Sequence, residues 1–282
     1  MTHSIKTQGH GEYHRTMKAK KSLGQNFLKS EPALRKIVEA GEVGREDVIL
    51  EIGPGKGALT KKLLEQGGQV IAIEKDRELF EFLKTKFVNE VNSGSLVLVH
   101  EDILQFSISN FQLSKYKIIA NIPYNITGAI LKKFLTSRHQ PERMVLMVQK
   151  EVAHRIVGRH GPSSAKSSEG KKESLLSISV KAYGVPRLVM KVPARYFSPS
   201  PKVDSVVIAI TDISRKIFEE TDTNEEKFWE IVRLGFAHKR KKLSGNLKSM
   251  NFGDEEAFVS VKNKRAEDLS LFQWISLAKI QF

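Results

Sequence analysis

The sequence predicts an α/β fold in which a doubly wound parallel sheet is followed by a small α-helical C-terminal domain. Short apolar runs of strand length alternate with helical segments between residues 48 and 157, which is the pattern of a sheet covered by helices on both faces. A glycine-rich turn directly follows the first of these strands. Beyond residue 212 only helical patterns remain, so we divide the chain into a flexible basic arm (1–17), an α/β domain (18–212) and a helical domain (213–282).

The elements follow one another in a simple order. A helix is predicted over 31–40, with Ser30 as its N-cap and Pro32 in its first turn. Strands are predicted at 48–52, 69–74, 95–100, 116–120, 143–148, 187–192 and 205–210, and helices between them at 58–66, 77–89, 127–135, 151–157 and 175–182. A polar, low-complexity loop is expected over 162–174. In the C-terminal domain, Thr223 and Glu226 form the pattern of a capping box that opens a helix.

The 282-residue chain contains no cysteine. This excludes disulfides, iron–sulfur clusters, cysteine-based zinc sites and a thiol nucleophile. No apolar run approaches the roughly 20 residues that a membrane-spanning helix needs, and the N-terminal residues carry no apolar segment typical of a signal peptide. We therefore expect a cytoplasmic protein that is not inserted in a membrane.

The chain carries 46 Lys and Arg against 32 Asp and Glu, a formal charge of +14 with a pI near 9.7. Such a charge is compatible with nucleic acid, an anionic membrane or an acidic protein as partner. The excess is uneven, because residues 150–202 carry a net +8, residues 233–248 a net +6 and residues 1–21 a net +4, while the central region is nearly neutral. The distribution favours a neutral catalytic body flanked by basic surfaces. Lysines that serve only solubility are the alternative.

The turn over residues 53–57 has the sequence Gly-Pro-Gly-Lys-Gly, and Glu51 precedes it by two residues. Its spacing differs from the GxGxxG of dinucleotide-binding folds and from the GxxxxGK[ST] of a Walker loop. The complete pattern, ExGxGxG, resembles the S-adenosylmethionine site of class I methyltransferases, whose fold is Rossmann-like. A carboxylate beside the turn also suits a cationic amine and sulfonium better than a pyrophosphate. A purely structural strand-to-helix turn is the alternative.

Two further carboxylates end the next two predicted strands. Glu74 closes the second strand, 21 residues after Gly53, where a carboxylate is placed to accept hydrogen bonds from ribose hydroxyls. Asp102 follows the third strand, where it can accept the amino group of an adenine, although a helix cap or a surface acid would look the same in sequence. The three carboxylates together indicate a site for an adenosine-type ligand.

The tetrapeptide Asn121-Ile122-Pro123-Tyr124 ends the fourth strand, at the sheet edge where such folds bind ligands. The exocyclic amine of adenine is a poor nucleophile because its lone pair is delocalised into the ring. Two acceptors aimed at its N–H bonds, the side-chain oxygen of Asn121 and the main-chain carbonyl of Ile122, would favour a pyramidal nitrogen. Pro123 fixes the backbone, and Tyr124 offers a ring for base stacking. The predicted chemistry is therefore positioning and electrostatic stabilisation, with no metal and no strong base.

Taken in order, these motifs resemble the KsgA family, the small-subunit ribosomal RNA adenine N6-dimethyltransferases. The resemblance covers almost the whole chain and is carried by residues 21–28 (KSLGQNFL), 51–60 (EIGPGKGALT), 121–124 (NIPY), 148–155 (VQKEVAHR), 197–205 (FSPSPKVDS) and 236–243 (FAHKRKKL). The last segment resembles the basic helix of the family's C-terminal domain. The loop over 158–174 is longer and more basic than the family pattern, so the resemblance does not establish whether this loop contacts RNA.

The resemblance implies S-adenosylmethionine as cofactor and a function for each matching residue. Cofactor contacts are expected from Asn26, Leu28, Gly53, Glu74, Asp102 and Asn121, and Phe197 is expected to stack on the target adenine opposite Tyr124. RNA contacts are expected from Lys150, Arg155, Lys202, Lys239, Arg240, Lys241 and Lys242. The implied reaction is dimethylation of two adjacent adenines near the 3′ end of small-subunit ribosomal RNA, in an assembling 30S subunit.

Two alternatives remain at this stage. One is a large-subunit ribosomal RNA adenine N6-methyltransferase of the macrolide-resistance type, which shares the fold and the NIPY motif. The other is a non-catalytic ribosome-assembly or transcription factor that keeps the fold. The GQNFL and FSPSPKVDS segments favour the small-subunit type, and the intact cofactor motifs favour an enzyme. We expect a monomer, because nothing in the sequence demands a dimer. We also expect no metal: His10 and His14 are four residues apart but lie in the N-terminal arm beside Gly11, and the other histidines, such as His154 and His238, lack ligand spacing.

Overall fold

The computed structural model describes residues 17–111, 113, 115–158, 172–250 and 252–280. The predicted arm over 1–17 lies outside the described residues except for Met17, and the predicted loop over 162–174 lies outside them except for residues 172–174. Nine strands are described: β1 (Phe27–Leu28), β2 (Val48–Ile52), β3 (Gln69–Glu74), β4 (Leu96–His100), β5 (Lys117–Asn121), β6 (Arg143–Gln149), β7 (Val185–Val192), β8 (Phe197–Ser198) and β9 (Ser205–Thr211).

The helices of the α/β part follow the predicted positions closely. They are α1 (Glu31–Gly41), α2 (Ala58–Leu64), α3 (Arg77–Lys86), α4 (Val88–Asn92), α5 (Thr127–Leu135), α6 (Lys150–Val157) and α7 (Leu175–Lys181). The described residues after Thr211 form helices and turns with one isolated β-bridge. The helices there are α8 (Lys216–Glu220), α9 (Glu225–Gly235), α10 (Leu243–Asn246), α11 (Glu256–Val259) and α12 (Leu271–Ile280). No helix in the described ranges has the length and apolar character needed to cross a membrane.

Seven strands form one sheet in the order β4-β3-β2-β5-β6-β9-β7. The first five are parallel, so their carboxyl ends meet at one edge. The prediction of a wholly parallel sheet is wrong for β9, which runs antiparallel to both β6 and β7. The reason is the connection between β7 and β9. It contains only a three-residue 3-10 turn, Ala194–Tyr196, and the short strand β8, and it lacks the α-helix that usually carries a chain back across a sheet to a parallel strand.

Apolar residues cover both faces of the sheet. On one face, α1 and α2 pack with Ile49, Val70 and Val145. On the other face, a continuous buried cluster runs from sheet residues such as Ile118 and Leu146, through α5 and α7, into the C-terminal helices. The burial of these apolar side chains stabilises the fold. It also holds the C-terminal helices against the sheet.

Polar contacts reinforce that junction. The indole of Trp229 on α9 donates to the Tyr183 hydroxyl at 2.8 Å, and the Tyr183 hydroxyl donates to Glu225. Arg215 donates to the same Glu225 carboxylate at 2.9 Å and to the main-chain oxygens of Thr136 and Ser137 after α5. The first turn of α9 is therefore tied to the α/β part by a hydrogen-bonded network.

The caps of two helices test the predictions directly. Ser30 caps α1 as predicted, its hydroxyl accepting from the Ala33 amide at 3.4 Å. The capping box predicted at Thr223 is wrong, because α9 begins one residue later and Asn224 is its N-cap, accepting from Lys227 at 2.9 Å. Thr223 is buried and its hydroxyl is engaged with the hydroxyl of Thr221 at 2.8 Å. Its side chain is therefore not available to the helix.

Candidate active site

A cavity of about 600 Å³ opens at the carboxyl ends of the central parallel strands. Its wall is formed by the turn after β2, the ends of β3, β4 and β5, and the segment that precedes α1. All six residues expected to contact the cofactor line this cavity: Asn26, Leu28, Gly53, Glu74, Asp102 and Asn121. Residues that are up to 95 positions apart in the chain thus meet in one site.

The glycines after β2 shape the floor of the cavity. Gly53, Gly55 and Gly57 have φ values of 66°, 59° and 75°, the left-handed region that glycine adopts without steric cost. A Cβ on Gly57 would lie 2.4 Å from the Phe87 ring, whereas a Cβ on Gly53 would have no atom within 4 Å. Gly57 is therefore required for packing against α3. Gly53 leaves open space in which a ligand can approach the backbone.

Glu74 ends β3 and Asp102 follows the end of the neighbouring β4, and both carboxyl groups accept hydrogen bonds. Glu74 is buried, and its carboxylate accepts from the amides of Asp76 at 2.8 Å and Gly55 at 3.2 Å, while burial raises its pKa. Asp102 accepts from Lys75 at 2.7 Å and from the Leu104 amide at 2.9 Å. The Lys75 ammonium lowers the pKa of Asp102, so this carboxylate is ionised at neutral pH. Both are fixed acceptors for a polar ligand.

Glu51 lies next to the glycine turn and lines the same cavity. It is 1 % exposed, and its Oε2 has no hydrogen-bond partner among the described residues. Burial raises its pKa to about 8. A buried carboxyl oxygen without a partner is costly, and a cationic ligand group in the cavity would supply the missing partner.

The segment before α1 is attached to the cavity rim by contacts that the sequence did not reveal. Gln25 donates to Asp76 at 2.9 Å, and Lys20 donates to the other oxygen of the same carboxylate at 2.7 Å. Strand β1 pairs antiparallel with β8, so that Leu28 lies opposite Phe197. These contacts hold Asn26 and Leu28 against the ends of the parallel strands.

One end of the cavity is formed by the tetrapeptide after β5. The Asn121 amide donates from Nδ2 to the main-chain oxygen of Asn26 at 3.0 Å, which leaves Oδ1 as an acceptor. Ile122 lines the cavity while its side chain is buried. The half-buried Tyr124 shares a hydrogen bond of 2.6 Å with the Ser205 hydroxyl, which holds its ring. An amide acceptor and an aromatic ring therefore lie at the same end of the site.

Phe197 is placed differently from the other predicted catalytic residues. It belongs to β8, is 4 % exposed and packs its side chain in the core, and the residues that line the cavity include Ser198 but not Phe197. Stacking of this ring on a base requires the ring to leave its position in the core. Its role stays a prediction.

The predicted RNA contacts are all exposed, and they form two groups. Lys150 directly follows β6, and Lys202 shortly precedes β9. The end of β6 pairs with the start of β9 at the edge of the sheet that carries the cavity, so both lysines lie at that edge, and Arg155 follows on α6. Lys239, Arg240, Lys241 and Lys242 lie far along the chain, after α9 has ended at Gly235. The expectation of a basic helix is wrong for this second group. These residues form a turn between α9 and α10, since Asn246 binds the main-chain oxygens of Gly235 and His238 and folds the chain back.

The cavity fits S-adenosylmethionine. Its lining includes three carboxyl groups, those of Asp102, Glu74 and Glu51, and the buried Glu51 has one oxygen without a partner among the described residues. Carboxyl groups of this kind suit the amino, hydroxyl and cationic groups that the cofactor carries. Among the described residues, no group of three or more His, Asp or Glu side chains has the arrangement of a metal site. The fold and this site together define a class I S-adenosylmethionine-dependent methyltransferase.

The comparisons with known proteins identify the family. A family model described as ribosomal RNA adenine dimethylase matches residues 16–281, and the chain belongs to that family. It is 40 % identical to ribosomal RNA small subunit methyltransferase A of Dehalococcoides mccartyi, over 93 % of this chain and 88 % of the relative. It is 38 % identical to the protein of the same name from Moorella thermoacetica, over 92 % of this chain and 91 % of that one. The protein is thus an enzyme of ribosomal RNA modification.

Solved structures agree with the fold. A dimethyladenosine transferase from Plasmodium falciparum superimposes with a TM-score of 0.72 at 26 % identity, covering 89 % of this chain and 95 % of that one. The 23S rRNA methyltransferase ErmE superimposes with a TM-score of 0.68 at 24 % identity, covering 91 % and 99 %. The likeness to ErmE shows the shared fold and does not by itself choose the RNA substrate.

Proposed function

We propose that this protein dimethylates N6 of two adjacent adenines near the 3′ end of small-subunit ribosomal RNA, using S-adenosylmethionine. Its substrate is an assembling 30S subunit in the cytoplasm, and it acts as a monomer that uses no metal. The proposal is supported by the relatives named small subunit methyltransferase A, which match over 92–93 % of this chain. The matched region covers 88–91 % of those relatives.

The single observation that carries the chemistry is the fixed orientation of Asn121. Because its Nδ2 donates to the Asn26 carbonyl, its Oδ1 is the atom left to accept a hydrogen bond from the adenine amino group. The main-chain carbonyl of Ile122 is the second acceptor. With both N–H bonds held, the nitrogen lone pair is turned out of conjugation with the ring and toward the cavity. When bound, the cofactor supplies an electrophilic methyl group at this position.

Binding of the target base depends on a ring next to Asn121. An adenine in a folded RNA must unstack from its neighbours to reach the cavity. Stacking on an aromatic ring offsets part of the free energy that unstacking costs. Tyr124 offers such a face, and its hydroxyl is anchored to Ser205 at 2.6 Å. Phe197 would enclose the base from the other side once its ring leaves the core.

The proposed domain division gives the RNA two contact surfaces. Residues 18–212 form the catalytic domain with Lys150, Arg155 and Lys202 near the cavity, and residues 213–282 present the basic turn of Lys239, Arg240, Lys241 and Lys242. Phosphate contacts of this kind position an RNA without reading its sequence. Selection of the adenines then depends on the shape of the subunit.

The proposal is tested by incubating the purified protein with S-adenosylmethionine and either immature 30S particles or large-subunit precursor RNA. We expect dimethyladenosine at two adjacent positions near the 3′ end of the small-subunit RNA, mapped by nuclease digestion and mass spectrometry. The Asn121→Ala protein serves as the matched negative control. Methylation of the large-subunit RNA alone would establish the macrolide-resistance type, and binding to particles without methyl transfer would establish an assembly factor. Either result rejects the proposal.

A further inference from the structure

The turn over residues 102–106 lies just beyond the end of β4, and Asp102 is its first residue. The Asp102 side chain accepts from the Leu104 amide at 2.9 Å, and its main-chain oxygen accepts from the amides of Gln105 and Phe106 at 2.8 and 2.9 Å. Asp102 and Leu104 both line the cavity. The orientation of the Asp102 carboxylate is therefore tied to the conformation of this turn.

Two carbonyls of the same turn are held by a lysine from a different part of the fold. The half-buried Lys133 on α5 donates from Nζ to the main-chain oxygens of Leu104 at 2.9 Å and Phe106 at 2.6 Å, across 29 and 27 positions of the chain. Helix α5 begins shortly after the tetrapeptide at the end of β5, and β3 and β2 lie between β4 and β5 in the sheet. Lys133 therefore joins the helix after β5 to the turn after β4.

The charge of Lys133 also acts on Asp102. The hydrogen bond from Lys75 at 2.7 Å lowers the pKa of Asp102 most, and the charge of Lys133 lowers it further. Partial burial lowers the pKa of Lys133 itself, while the charges of Glu101 and Asp102 oppose that shift. Lys133 is not among the residues that line the cavity. It therefore supports the turn that carries Asp102 from outside the cavity, whereas Lys75 pairs with the carboxylate directly.

We infer that Lys133 is a positioning residue that fixes Asp102 as the acceptor for the adenine amino group of the cofactor, and so sets the preference of the site for adenine. The inference rests on the role expected of Asp102 in the proposed use of the cavity. A carboxylate that is fixed in place distinguishes an amino group, which donates to it, from a carbonyl oxygen, which repels it. Without the bonds from Lys133 the turn can shift, and the carboxylate can then move away from a carbonyl oxygen.

The test compares two ligands that differ only at one edge of the base. S-adenosylhomocysteine carries an amino group at C6, whereas S-inosylhomocysteine carries a carbonyl oxygen there and a hydrogen on N1. Titration calorimetry without RNA measures both ligands on the wild-type protein and on the Lys133→Met, Lys133→Arg and Asp102→Asn variants. Lys132→Met is the matched control, because Lys132 is the neighbouring residue on α5 and its side chain is exposed.

We expect the wild type to bind S-adenosylhomocysteine at least about tenfold more tightly than S-inosylhomocysteine, the effect of one charged hydrogen bond. Lys133→Met should lower this ratio of affinities by about fivefold, and Asp102→Asn should lower it by at least as much. Lys133→Arg, whose guanidinium can donate to both carbonyls, should keep the ratio within about twofold of wild type. Lys132→Met should leave the ratio unchanged.

The ratio separates positioning from a general loss of structure, because a damaged cavity weakens both ligands alike. Equal weakening of both ligands in Lys133→Met, or an unchanged ratio, would overturn the inference. So would a wild type without a preference for S-adenosylhomocysteine, or an unchanged ratio in Asp102→Asn, because Lys133 would then have no adenine acceptor to position. Lys133→Gln, which keeps a neutral donor, is the second variant in case methionine prevents folding, and it should also lower the ratio.

The titrations involve no RNA, so this result is independent of the RNA substrate. A protein that shows the expected ratios but fails to methylate 30S particles would retain the role of Lys133 and reject the proposed function. A protein that methylates the particles but has an unchanged ratio in Lys133→Met would do the opposite.

Discussion

The side-chain amide of Asn121 donates a hydrogen bond to the main-chain oxygen of Asn26 at 3.0 Å, across 95 positions of the chain. This bond determines which end of the amide is available to a substrate. It also couples the end of strand β5 to the segment before α1 that lines the same cavity, because Asn26 is held there by the β1–β8 pair and by the contacts of Gln25.

Asn121→Ala and Asn121→Asp separate the two roles of the Asn121 side chain, as an acceptor for the substrate and as a donor to the Asn26 carbonyl. Alanine removes the acceptor for the adenine amine, and aspartate keeps an acceptor but cannot donate to the Asn26 carbonyl. We expect a loss of about 10²–10³ in the rate of methyl transfer for alanine, the usual cost of one positioned hydrogen-bonding group. The rate is measured in single turnover with 30S particles. Asn89→Ala, on the exposed face of α4, is the control. A full rate in Asn121→Ala would contradict the assigned role.

Tyr124 should act through its ring and not through its hydroxyl. Tyr124→Phe loses the 2.6 Å bond to Ser205 but keeps the stacking face, so we expect a change of about threefold or less in kcat/KM. Tyr124→Ala should lose about 1–3 kcal/mol, the value of one base–aromatic stack. Steady-state kinetics with 30S particles measures both variants. A Tyr124→Phe protein as impaired as Tyr124→Ala would show that the hydroxyl carries the effect.

Glu51 should make the stability of the ligand-free protein fall as pH rises. Burial raises its folded-state pKa from an ordinary 4.5 to about 8, so between these values the folded protein holds a proton that the unfolded chain has released. The contribution of Glu51 to the free energy of unfolding is therefore fully present below pH 4.5. It decreases as the pH rises toward 8, by at most about 1.4 kcal/mol per pH unit.

Denaturant unfolding at pH 5.5 and 7.5 measures this effect. We expect the free energy of unfolding of the wild type to decrease by about 2–3 kcal/mol more than that of Glu51→Gln over these two pH units. The glutamine variant is the matched control, since it retains Glu74 and every other titrating group. Parallel pH profiles of the two proteins would show that Glu51 is ionised throughout.

The basic turn between α9 and α10 should account for part of the salt dependence of RNA binding. Replacing Lys239, Lys241 and Lys242 by Gln should reduce the slope of log K against log salt by about 2–3, since each lost phosphate contact removes roughly 0.7–0.9. Affinity for 30S particles is measured between low and moderate salt. The control replaces three lysines that pair with carboxylates: Lys36, Lys216 and Lys227. Equal slopes in the two triple variants would show that the turn does not contact RNA.

Local sequence patterns sufficed for most of the elements. Strand β3 and helix α5 have the predicted bounds, because the apolar runs there are bordered by clear breaks such as Gly67 and Gly68. The start of α9 was missed by one residue, because Thr223 and Asn224 can both cap a helix and only the burial of Thr223 decides between them. The antiparallel direction of β9 was also missed, because strand direction depends on the path of the connecting chain.

The sequence by itself determined the α/β architecture, the glycine turn, the acidic strand ends and the family. Each of these follows from a pattern of residues that lie close together in the chain. Only the tertiary structure decided that Asn121 bonds Asn26, that Phe197 packs in the core and that Lys86 reaches the carbonyl of Lys56. The physical reason is that these relationships join distant segments. The distances between these residues depend on how complete strands and helices pack against one another. A local pattern of residues does not determine that packing.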